Sequence, residues 1–561
     1  MCAPEAVTPS TGNANVALEA CPARGDSSSA LRSRHGSERV FHYLLEDRAR
    51  SVPDKPCLVM ETRTLSYRDV ENEANRWARG LTGRGVKKGD RVLLMIPSGI
   101  EHVVIWLGLC KIGALMVPVN EAYKGNMLKH QANDSGAELA IVAAPHLQRW
   151  VDLGRDLQNL KSVAIFHDVT GPVPDGAPWT WLSASDLCSD DASPLPRIVD
   201  AFDAMAIFYT SGTTGPSKGV LYTYAQAHAT AAVPAEWCAA EDVFYMFLPM
   251  FHVGLSQMFG LVLIAGATMA IREKFSSSSF WSDVRRYRAT VTILLSTMPN
   301  FLLSMPATAQ DREHTLRKVI IIPLPSELTQ FKSRFGVAVA TFFNMTEVST
   351  PLHSNGFQLA NGTSCGRPRA GVHARLVDEN DEPVPLGAAG ELVLRADKAW
   401  EFSLGYWRNP EKTAESRRNL WFHTGDAFRI DAEGNFYFVD RLKDAIRRRG
   451  ENISSFEVEA EIDAHPAVLE SAAVAVPSTI GEDEIKAVVA LRSGFILTPE
   501  ELHAYLVARL PAYMVPRYIE FRPSELPKTP TGKIVKATLR ETGVASAWSL
   551  GPPTQPRGGR S

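Results

Sequence analysis

Ten residues near the middle of the chain combine three glycines, five hydroxyl side chains and one lysine. Residues 210–219 follow the apolar run 206–209, which predicts a buried strand that ends at Thr210. Glycines let backbone N–H groups approach an anion, hydroxyls add donors, and Lys218 adds a positive charge. The composition predicts a loop that cradles a polyphosphate, while a flexible surface loop remains the alternative for a Ser/Thr/Gly segment.

This loop is not a Walker P-loop. That motif needs Gly-x4-Gly-Lys-Ser/Thr leading into a helix. Here Lys218 follows Ser217 and precedes Gly219, so the spacing does not fit. A nucleotide bound by this loop would therefore be held in a different way.

Two acidic residues stand where nucleotide ligands are often bound. Glu347, preceded by Thr346, follows an apolar strand, and α/β sheets bind ligands at the carboxyl ends of strands. A carboxylate there can hold Mg²⁺ through oxygen, although Thr-Glu also suits a helix N-cap and first turn. Asp426, which follows the turn residue Gly425, can accept hydrogen bonds from both ribose hydroxyls or can close an Asx turn.

Two basic segments lie in the last quarter of the chain. Residues 440–452 contain five basic and three acidic residues, and the arginines 447–449 are typical of a solvated face. Residues 527–533 contain two prolines and end in Lys533. A rigid hairpin lowers the entropy cost of placing one cation, so Lys533 is a candidate catalytic residue; an ordinary surface turn is the alternative.

The elements around these clusters predict an α/β protein. From about residue 37, apolar strands alternate with helical patterns, which indicates βαβ units and mostly parallel sheets. We predict a large N-terminal domain of parallel sheets with helices (37–442) that includes a β-rich subdomain (about 371–440). A small mobile α+β C-terminal domain (443–544) follows, and disordered tails are expected at 1–36 and 545–561.

Composition limits the classes of partner. Of 561 residues, 45% are hydrophobic, which is enough for a sizeable core, and the net charge of −3 gives no reason to expect nucleic acid. The seven cysteines are odd in number and lack a Cys-x-x-Cys pair, which fits a reducing cytoplasm. We found no secretion signal, and the longest apolar runs are shorter than the roughly 20 residues of a membrane span. These features predict a soluble cytoplasmic protein with no transmembrane segment.

Over residues of about 40–540, the chain resembles the adenylate-forming superfamily of acyl-CoA synthetases, luciferases and peptide-synthetase adenylation domains. Collinear motifs carry the resemblance, at 210–219, 249–252, 343–347, 390–395, 424–426, 441–444 and 527–533. Residues 449–454 with 457–459 are most similar to the carnitine/crotonobetaine-CoA ligase type. Two departures stand out: Asn344 occupies a position where glycine is usual, and 320–325 replaces the usual Gly-rich adenine-side loop.

The resemblance implies an ATP-dependent acyl-CoA ligase that uses ATP, Mg²⁺ and coenzyme A. A carboxylate attacks the α-phosphate of ATP to give acyl-AMP and pyrophosphate. The CoA thiol then attacks the acyl-adenylate to give the thioester and AMP. Such transfers are catalysed mainly by positioning and charge stabilisation.

The resemblance also implies residue roles. Thr210 and Glu347 hold Mg²⁺, Lys533 bridges the carboxylate and the α-phosphate, and His252 borders the acyl pocket. Lys443 is the hinge about which the C-terminal domain turns between half-reactions, which brings the 447–454 loop to the pantetheine tunnel. The residues expected to bind nucleotide or CoA are Thr210, Ser211, Gly212, Thr213, Thr214, Gly215, Lys218, Phe343, Asn344, Met345, Thr346, Asp426, Arg441, Arg449, Gly450, Glu451 and Lys533.

We expect the segments 237–260 and 293–301 to form the acyl pocket, so their residues indicate the class of acyl substrate. Their apolar members predict a medium-sized aliphatic, alicyclic or aryl-alkanoic acid rather than carnitine, whose quaternary ammonium favours an aromatic cage. These members are Trp237, Phe247, Met250, Val253, Leu255, Met258, Leu294, Leu295, Met298 and Phe301.

Three rival functions are open to test. A domain that adenylates amino acids for a carrier protein usually has an aspartate near 251–255, and this chain has no acid there. A luciferase-like oxygenase would require O₂, and an inactive homologue acting as a binding protein would be expected to lose Lys533 or Glu347. Besides the small acid, ATP and CoA, the candidate partners are a lysine acetyltransferase that modifies Lys533 and a second copy of the chain.

Overall fold

The computed structural model describes most of the chain between residues 36 and 551. The described residues are 36–166, 176–210, 216–295, 298–325, 327–441, 445–448, 451–478, 482–523, 525–527, 534 and 536–551. Within them, no helix combines the length and hydrophobicity that crossing a membrane requires. Residues 1–35, and with them nearly all of the predicted N-terminal tail, lie outside this part.

The α-helices are spread over the whole described chain. In chain order they are α1 (Phe41–Ser51), α2 (Tyr67–Gly83), α3 (Ile100–Lys111), α4 (Gly125–Ser135), α5 (Leu147–Leu153), α6 (Tyr224–Ala235), α7 (Gly254–Ala265), α8 (Ser277–Tyr287), α9 (Met298–Ser304), α10 (Leu328–Phe335), α11 (Pro410–Glu415), α12 (Ser455–Asp463), α13 (Pro499–Val507) and α14 (Lys536–Glu541). Local side-chain caps start several of them: Ser66 and Asp69 form a capping box at α2, and Thr223 Oγ1 accepts from Gln226 N at α6.

The strands before the C-terminal domain fall into four sheets. They are β1 (Pro56–Val59), β2 (Thr64–Ser66), β3 (Arg91–Met95), β4 (Leu115–Pro118), β5 (Leu139–Ala143), β6 (Ser162–Phe166), β7 (Thr180–Ser183), β8 (Ala204–Thr210), β9 (Lys218–Thr223), β10 (Val243–Met246), β11 (Thr268–Ile271), β12 (Val291–Leu295), β13 (Lys318–Ile322), β14 (Ala338–Ala340), β15 (Phe342–Met345), β16 (Ser349–His353), β17 (Arg367–Pro368), β18 (Val372–Val377), β19 (Gly390–Ala396), β20 (Gly405–Tyr406), β21 (Phe422–Ile430) and β22 (Phe436–Arg441).

Two large, mostly parallel sheets form the body of the molecule. One has eight strands in the order β20-β9-β8-β4-β3-β5-β6-β7, and the other has seven in the order β14-β13-β12-β10-β11-β1-β2. Strands such as β4 and β11 are buried along their whole length because the sheets are covered on both faces, which produces the continuous apolar runs seen in the sequence. The predicted α/β class and parallel sheets are confirmed.

The β-rich part consists of two antiparallel sheets, β15-β16-β17 and β18-β19-β21-β22. The apolar run 338–343 is divided between two strands. Strand β14 belongs to the seven-stranded sheet, whereas β15 begins the three-stranded sheet. The break lies at the buried Thr341, whose Oγ1 donates to Ile321 O at 2.7 Å and whose N–H donates to Ser354 Oγ at 3.0 Å.

The C-terminal part is an α+β unit, as predicted. Its strands are β23 (Ala445–Arg448), β24 (Glu451–Ser454), β25 (Val468–Pro477), β26 (Asp483–Leu491), β27 (Tyr518–Arg522) and β28 (Trp548–Ser549). The first two strands form a hairpin, and the other four form a sheet in the order β25-β26-β27-β28. Helices α12 and α13 pack against this sheet around a core that includes Val458 and Leu502.

We predicted that a disordered tail begins at residue 545, and this boundary is wrong because residues 545–551 are ordered around strand β28. Strand β28 pairs antiparallel with β27, and Leu550 N donates to Arg517 O at 3.1 Å. Trp548 packs against the core of the C-terminal domain and lies beside the ring of His503. This one aromatic side chain anchors a segment whose surrounding Gly/Pro composition suggested disorder.

Candidate functional site

A cavity of about 300 Å³ lies where the N-terminal body meets the C-terminal domain. Four of the predicted site residues line it: Thr210, His252, Asn344 and Thr346. Thr210 ends β8, His252 lies in the turn before α7, and the other two belong to β15 and the turn that follows it. Glu457, Tyr513 and Met514 of the C-terminal domain complete the wall. The lining runs from Pro118 to Met514, so the fold brings together residues that are up to 396 positions apart in the sequence.

Glu347 lies in the turn between β15 and β16, directly after the strand that we expected to precede it. The helix N-cap alternative is wrong, because Ser349 already begins the return strand. The Glu347 side chain is buried, and its Oε1 accepts a hydrogen bond from Tyr406 Oη at 2.9 Å. Its backbone oxygen accepts from Ser403 N at 2.8 Å. The carboxylate is therefore oriented by Tyr406, and the backbone of the turn is anchored to Ser403 of the same neighbouring segment.

Tyr406 connects Glu347 to Lys218 of the predicted phosphate loop, residues 210–219. The ammonium of Lys218 lies 4.8 Å from the centroid of the Tyr406 ring, a distance at which a cation–π contact is favourable. Lys218 is also the cross-strand partner of Thr210 in the β8–β9 pair. The sequence analysis missed Tyr406 because nothing in the spacing of Gly405-Tyr406 indicates contact with a turn 59 residues earlier.

The oxygen donors near this cluster suit Mg²⁺. The described residues contain no group of three or more His, Cys, Asp or Glu side chains that could enclose a metal on their own. Magnesium is usually held by one or two carboxylates, with phosphate and water oxygens completing its octahedron. The Thr210 hydroxyl and the Glu347 carboxylate fit that pattern, so the donor set suits a metal that arrives with a nucleotide.

Replacing Tyr406 with phenylalanine should weaken magnesium-dependent activity. The change removes the hydrogen bond to Glu347 but keeps the ring beneath Lys218, and a hydrogen bond to a charged group contributes roughly 1.5–3 kcal/mol. We expect about a tenfold fall in the rate of acid-dependent pyrophosphate release, with a higher Mg²⁺ concentration needed for half-maximal rate. A Mg²⁺ titration of both proteins measures this, and an unchanged half-maximal concentration would argue against a role in holding Glu347.

Asp426 does not lie in an Asx turn. It lies within β21, opposite Arg441 of β22, and it is only 3% exposed. Its backbone N–H donates to Thr424 Oγ1 at 3.1 Å, and Gly425 before it has a φ of 71°. The preceding glycine is thus required by a left-handed backbone that would strain any other residue. Asp426 is not part of the cavity lining.

Phe343, which the resemblance places beside the adenine of the nucleotide, also lies near β21. The Phe343 ring meets that of Phe428 edge-on at a centroid distance of 5.1 Å. Phe428 is two residues after Asp426 on the same strand. The side chains proposed for adenine and ribose therefore belong to adjoining parts of the β-rich region.

Several predicted site residues lie outside the described part of the chain. They are Ser211, Gly212, Thr213, Thr214, Gly215, Lys443, Arg449, Gly450 and Lys533. Arg441 and Glu451 are described as backbone only, at the end of β22 and the start of β24. Their expected roles stay predictions.

The expectation that the arginines 447–449 form a solvated face is wrong for Arg448. Its guanidinium is buried, with Nε 2.7 Å from Glu484 Oε2. Its Nη1 donates to Tyr513 O at 2.9 Å and to Val515 O at 2.7 Å. Arg448 therefore fixes the segment that carries Tyr513 and Met514 to the cavity, a role that depends on the packing of hairpin β23–β24 against β26.

The C-terminal domain docks onto the segment around α4. Asn120 Nδ2 donates to Tyr513 Oη at 3.0 Å, Asn126 Nδ2 donates to Glu461 Oε1 at 3.0 Å, and Lys124 Nζ donates to Val507 O at 2.7 Å. Met127 is buried within the C-terminal core itself. These contacts join the two domains on one side of the cavity.

Glu457 of α12 contacts the phosphate loop directly. Its Oε1 accepts a hydrogen bond from Ser217 N at 3.1 Å, while His130 Nε2 lies 2.8 Å from Ser217 O. Burial raises the pKa of Glu457 to about 7, and the hydrogen bonds from Ser217 oppose that rise. One backbone N–H of the loop that we predicted to bind phosphate thus donates its hydrogen bond to a carboxyl group of the C-terminal domain.

The apolar end of the cavity is only partly the one we predicted. Val253, Met258 and Leu295 line it, whereas Phe301 is 43% exposed. The predicted pocket residues that instead belong to the surrounding core are Trp237, Phe247, Met250, Leu255, Leu294 and Met298. The lining residues Leu248 and Ile293 lie within the predicted segments but were not named, and Ile322 and Phe342 lie outside those segments. The period-2 alternation of β12 would have identified Ile293, because it shares a face with Leu295.

Comparison with protein families gives two collinear matches. Residues 45–407 match the AMP-binding enzyme family, and residues 457–533 match the AMP-binding enzyme C-terminal domain. The first match alone covers more than half of the chain. The boundary between the two matches spans the segment in which we predicted the hinge.

Curated relatives and solved structures agree with these matches. A crotonobetaine/carnitine–CoA ligase of Citrobacter koseri is 32% identical over 517 residues, which cover 88% of this chain and 98% of that protein. A Mycobacterium tuberculosis fatty acyl CoA synthetase superposes with a TM-score of 0.65 at 27% identity, covering 91% of this chain and 99% of that one. ATP-bound MatB from Rhodopseudomonas palustris superposes with a TM-score of 0.64 at 27% identity, with coverage of 90% and 98%.

Proposed function

This chain belongs to the AMP-binding enzyme family, and from that membership we propose that it activates a hydrophobic carboxylic acid as its CoA thioester. The enzyme is an AMP-forming acid–thiol ligase that uses ATP, Mg²⁺ and CoA. The acid attacks the α-phosphate of ATP to give acyl-AMP and pyrophosphate, and the CoA thiol then displaces AMP. The observation that carries this proposal is the convergence of Thr210, His252, Thr346 and the C-terminal Glu457 on one cavity.

In the first half-reaction we assign charge stabilisation to groups around the phosphate loop. Lys218 and the loop N–H groups would bind the β- and γ-phosphates of ATP, which leave together as pyrophosphate. Thr210 and the Tyr406-oriented Glu347 would hold Mg²⁺, which neutralises charge on the phosphate oxygens when it is bound. Asp426 and Arg441 would bind the ribose, and Lys533 would meet the α-phosphate and the attacking carboxylate. The geometry that supports this is the Glu347–Tyr406–Lys218 chain.

In the second half-reaction the same cavity must admit a thiol after pyrophosphate has left. A rotation of the C-terminal domain about Lys443 would separate the two steps, because one site cannot hold pyrophosphate and thiol together. We infer that the docked arrangement is the thioester-forming one. In support, Glu457 lies three residues after the hairpin 447–454, and its carboxyl group accepts the hydrogen bond of Ser217 N–H. The phosphates of ATP would need that same donor.

The function is tested by measuring pyrophosphate and AMP release with a panel of acids, with and without CoA. We expect pyrophosphate release with the correct acid alone and continued AMP turnover only when CoA is added. Absence of CoA-dependent AMP formation with every acid would refute the ligase assignment. An O₂ requirement in the same assay would point to the luciferase-like alternative.

The substrate class follows from the apolar end of the cavity. Leu248, Val253, Met258, Ile293 and Leu295 line it, and Glu457 is the one carboxylate among its described lining residues. We propose a medium-sized aliphatic, alicyclic or aryl-alkanoic acid. Several relatives are named for crotonobetaine and carnitine, which makes carnitine the substrate to compare. Saturating turnover of carnitine, with no turnover of hydrophobic acids, would refute the proposed substrate class.

A carrier protein as the acyl acceptor is not favoured. The segment 251–255 has no acid to pair with an amino-acid ammonium, and the relatives are named CoA ligases. We also propose that a lysine acetyltransferase modifies Lys533. Acetylation would remove the charge of this lysine and reversibly inactivate the first half-reaction. A second copy of the chain and a cytoplasmic location remain part of this proposal.

Docking of the C-terminal domain should weaken as pH rises. The docked carboxyl of Glu457 has a pKa of about 7, against 4.5 for a free glutamate, so the docked arrangement binds the extra proton. Docking is therefore most favourable below about pH 4.5 and loses up to about 3 kcal/mol as pH rises through 7. Fluorescence energy transfer between labels at the exposed positions Lys274 and Ile496 measures this.

The matched variant is Glu457→Gln, which keeps the acceptor for Ser217 N but cannot ionise. We expect its energy transfer to stay constant between pH 6 and pH 8.5. The same pH dependence in the variant and the parent would show that a group other than Glu457 controls docking.

A further inference from the structure

One hydrogen bond joins the two domains within the wall of the cavity itself. Asn120, which lies two residues after β4, lines the cavity from the N-terminal body, and Tyr513, between α13 and β27, lines it from the C-terminal domain. Asn120 Nδ2 donates to Tyr513 Oη at 3.0 Å, across 393 positions of the sequence. The bond requires the docked position of the C-terminal domain, so it belongs to one of the two arrangements of the enzyme.

The carboxamide of Asn120 is oriented independently of Tyr513. Its Oδ1 accepts a hydrogen bond from Ala122 N at 2.8 Å, and a backbone N–H can only donate. The oxygen must therefore face Ala122, which leaves the NH₂ group to face Tyr513. Asn120 is only 7% exposed in the docked structure, so its bond to Tyr513 forms away from bulk water, where a hydrogen bond is stronger.

Tyr513 is held in place from its own side of the interface. The buried guanidinium of Arg448 donates through Nη1 to Tyr513 O at 2.9 Å and to Val515 O at 2.7 Å. The backbone of Tyr513 is therefore fixed within the C-terminal domain, which carries the hydroxyl with it. Because each domain fixes its own partner, little conformational entropy is lost when the two groups meet.

The other contacts between the domains are of a different kind. Lys124 and Asn126 also donate hydrogen bonds to the C-terminal domain, but neither side chain lines the cavity. Met127 is buried in the core of the C-terminal domain, and apolar burial of this kind has no direction. Among these contacts, the Asn120–Tyr513 bond is the one that fixes the relative position of the two sides of the cavity wall.

We propose that the hydrogen bond between Asn120 and Tyr513 is a latch for the second half-reaction. It holds the C-terminal domain in place while the thiol attacks the acyl-adenylate, and it is broken during adenylation. Asn120 and Tyr513 are thus positioning residues that act through the cavity wall. This inference rests on the proposed ligase function and on the assignment of the docked arrangement to thioester formation.

A double-mutant cycle tests the latch. Tyr513→Phe removes only the hydroxyl group, and Asn120→Ala removes the donor. The accompanying loss of the contact with Ala122 is the same in both backgrounds and cancels in the cycle. For each protein, kcat/KM for acyl-AMP in CoA-dependent AMP release is divided by kcat/KM for ATP in acid-dependent pyrophosphate release. Both constants refer to the free enzyme, so their ratio follows the docking equilibrium.

We expect each single variant to lower this ratio by about fivefold, in line with the net contribution of one neutral hydrogen bond. The double variant should lower it no further than Asn120→Ala alone, because the second change then has no bond left to remove. The kcat/KM for ATP should not fall in any of the three variants. A general loss of structure would slow both half-reactions and leave the ratio unchanged.

A second Asn–Tyr pair provides the matched control. Asn361 Nδ2 donates to Tyr437 Oη at 2.7 Å, which is the same chemistry between two residues of the N-terminal domain. Neither residue lines the cavity. We expect Tyr437→Phe and Asn361→Ala to leave the ratio at its parental value.

Four kinetic results would overturn the proposal. They are independent effects that multiply in the double variant, an unchanged ratio in Tyr513→Phe, a raised ratio, which would assign the docked arrangement to adenylation, and an equal shift in the control pair. If no acid supports turnover, the ligase function fails, and energy transfer between labels at Lys274 and Ile496 tests the latch alone. We then expect Tyr513→Phe, but not Tyr437→Phe, to change the transfer efficiency, and parental efficiency in Tyr513→Phe overturns the inference.

Discussion

Lys533→Ala should abolish most of the adenylation activity and leave thioester formation largely intact. The lysine is expected to neutralise charge at the α-phosphate only in the first half-reaction. Loss of one such group typically costs about 3–4 kcal/mol, which corresponds to a fall of about 10²–10³-fold in rate. Acid-dependent pyrophosphate release measures the first step, and CoA-dependent AMP release from preformed acyl-AMP measures the second.

The matched control is Lys528→Ala, which removes a lysine from the same proline-containing segment. We expect both of its half-reactions to stay close to those of the parent enzyme. If Lys533→Ala instead slowed both half-reactions equally, Lys533 would have a structural role or a role common to both steps. The two-arrangement mechanism would then lose its main support.

Glu347→Gln should have the second largest effect. The amide keeps the shape of the side chain and can still accept the hydrogen bond from Tyr406 Oη, so the hairpin turn should remain in place. It lacks the charge that holds Mg²⁺, and we expect adenylation to fall by about 10²–10³-fold, as for other lost electrostatic groups. Raising the Mg²⁺ concentration should recover only part of the rate.

Glu411→Gln is the control for a change of charge near this cluster. Glu411 is an exposed residue in the first turn of α11, a few residues after Tyr406. We expect no change in its pyrophosphate release or in its Mg²⁺ requirement. If Glu347→Gln had the parental rate at every Mg²⁺ concentration, the proposal that Glu347 binds the metal would be wrong. The proposed role of Tyr406 in orienting Glu347 for catalysis would then be wrong as well.

The sequence by itself determined the fold class and the reaction class. The strands β3, β4, β5 and β6 are visible in the sequence as short apolar runs, because strands buried on both faces need hydrophobic residues at nearly every position. The motifs 210–219 and 343–347 could also be found, since a phosphate loop and an acid after a strand impose local residue types. Local requirements of this kind are visible in one stretch of chain.

Only the tertiary structure decided which side chains complete the site. Tyr406 meets Glu347 across 59 residues, Glu457 meets Ser217 across 240, and Arg448 holds the segment around Tyr513 across 65. Asn344 donates to Gln257, and the orientation of Gln257 is in turn fixed by Thr230 and Thr350. Hydrogen-bond direction and burial arise from the packing of distant segments, so no single stretch of sequence encodes them.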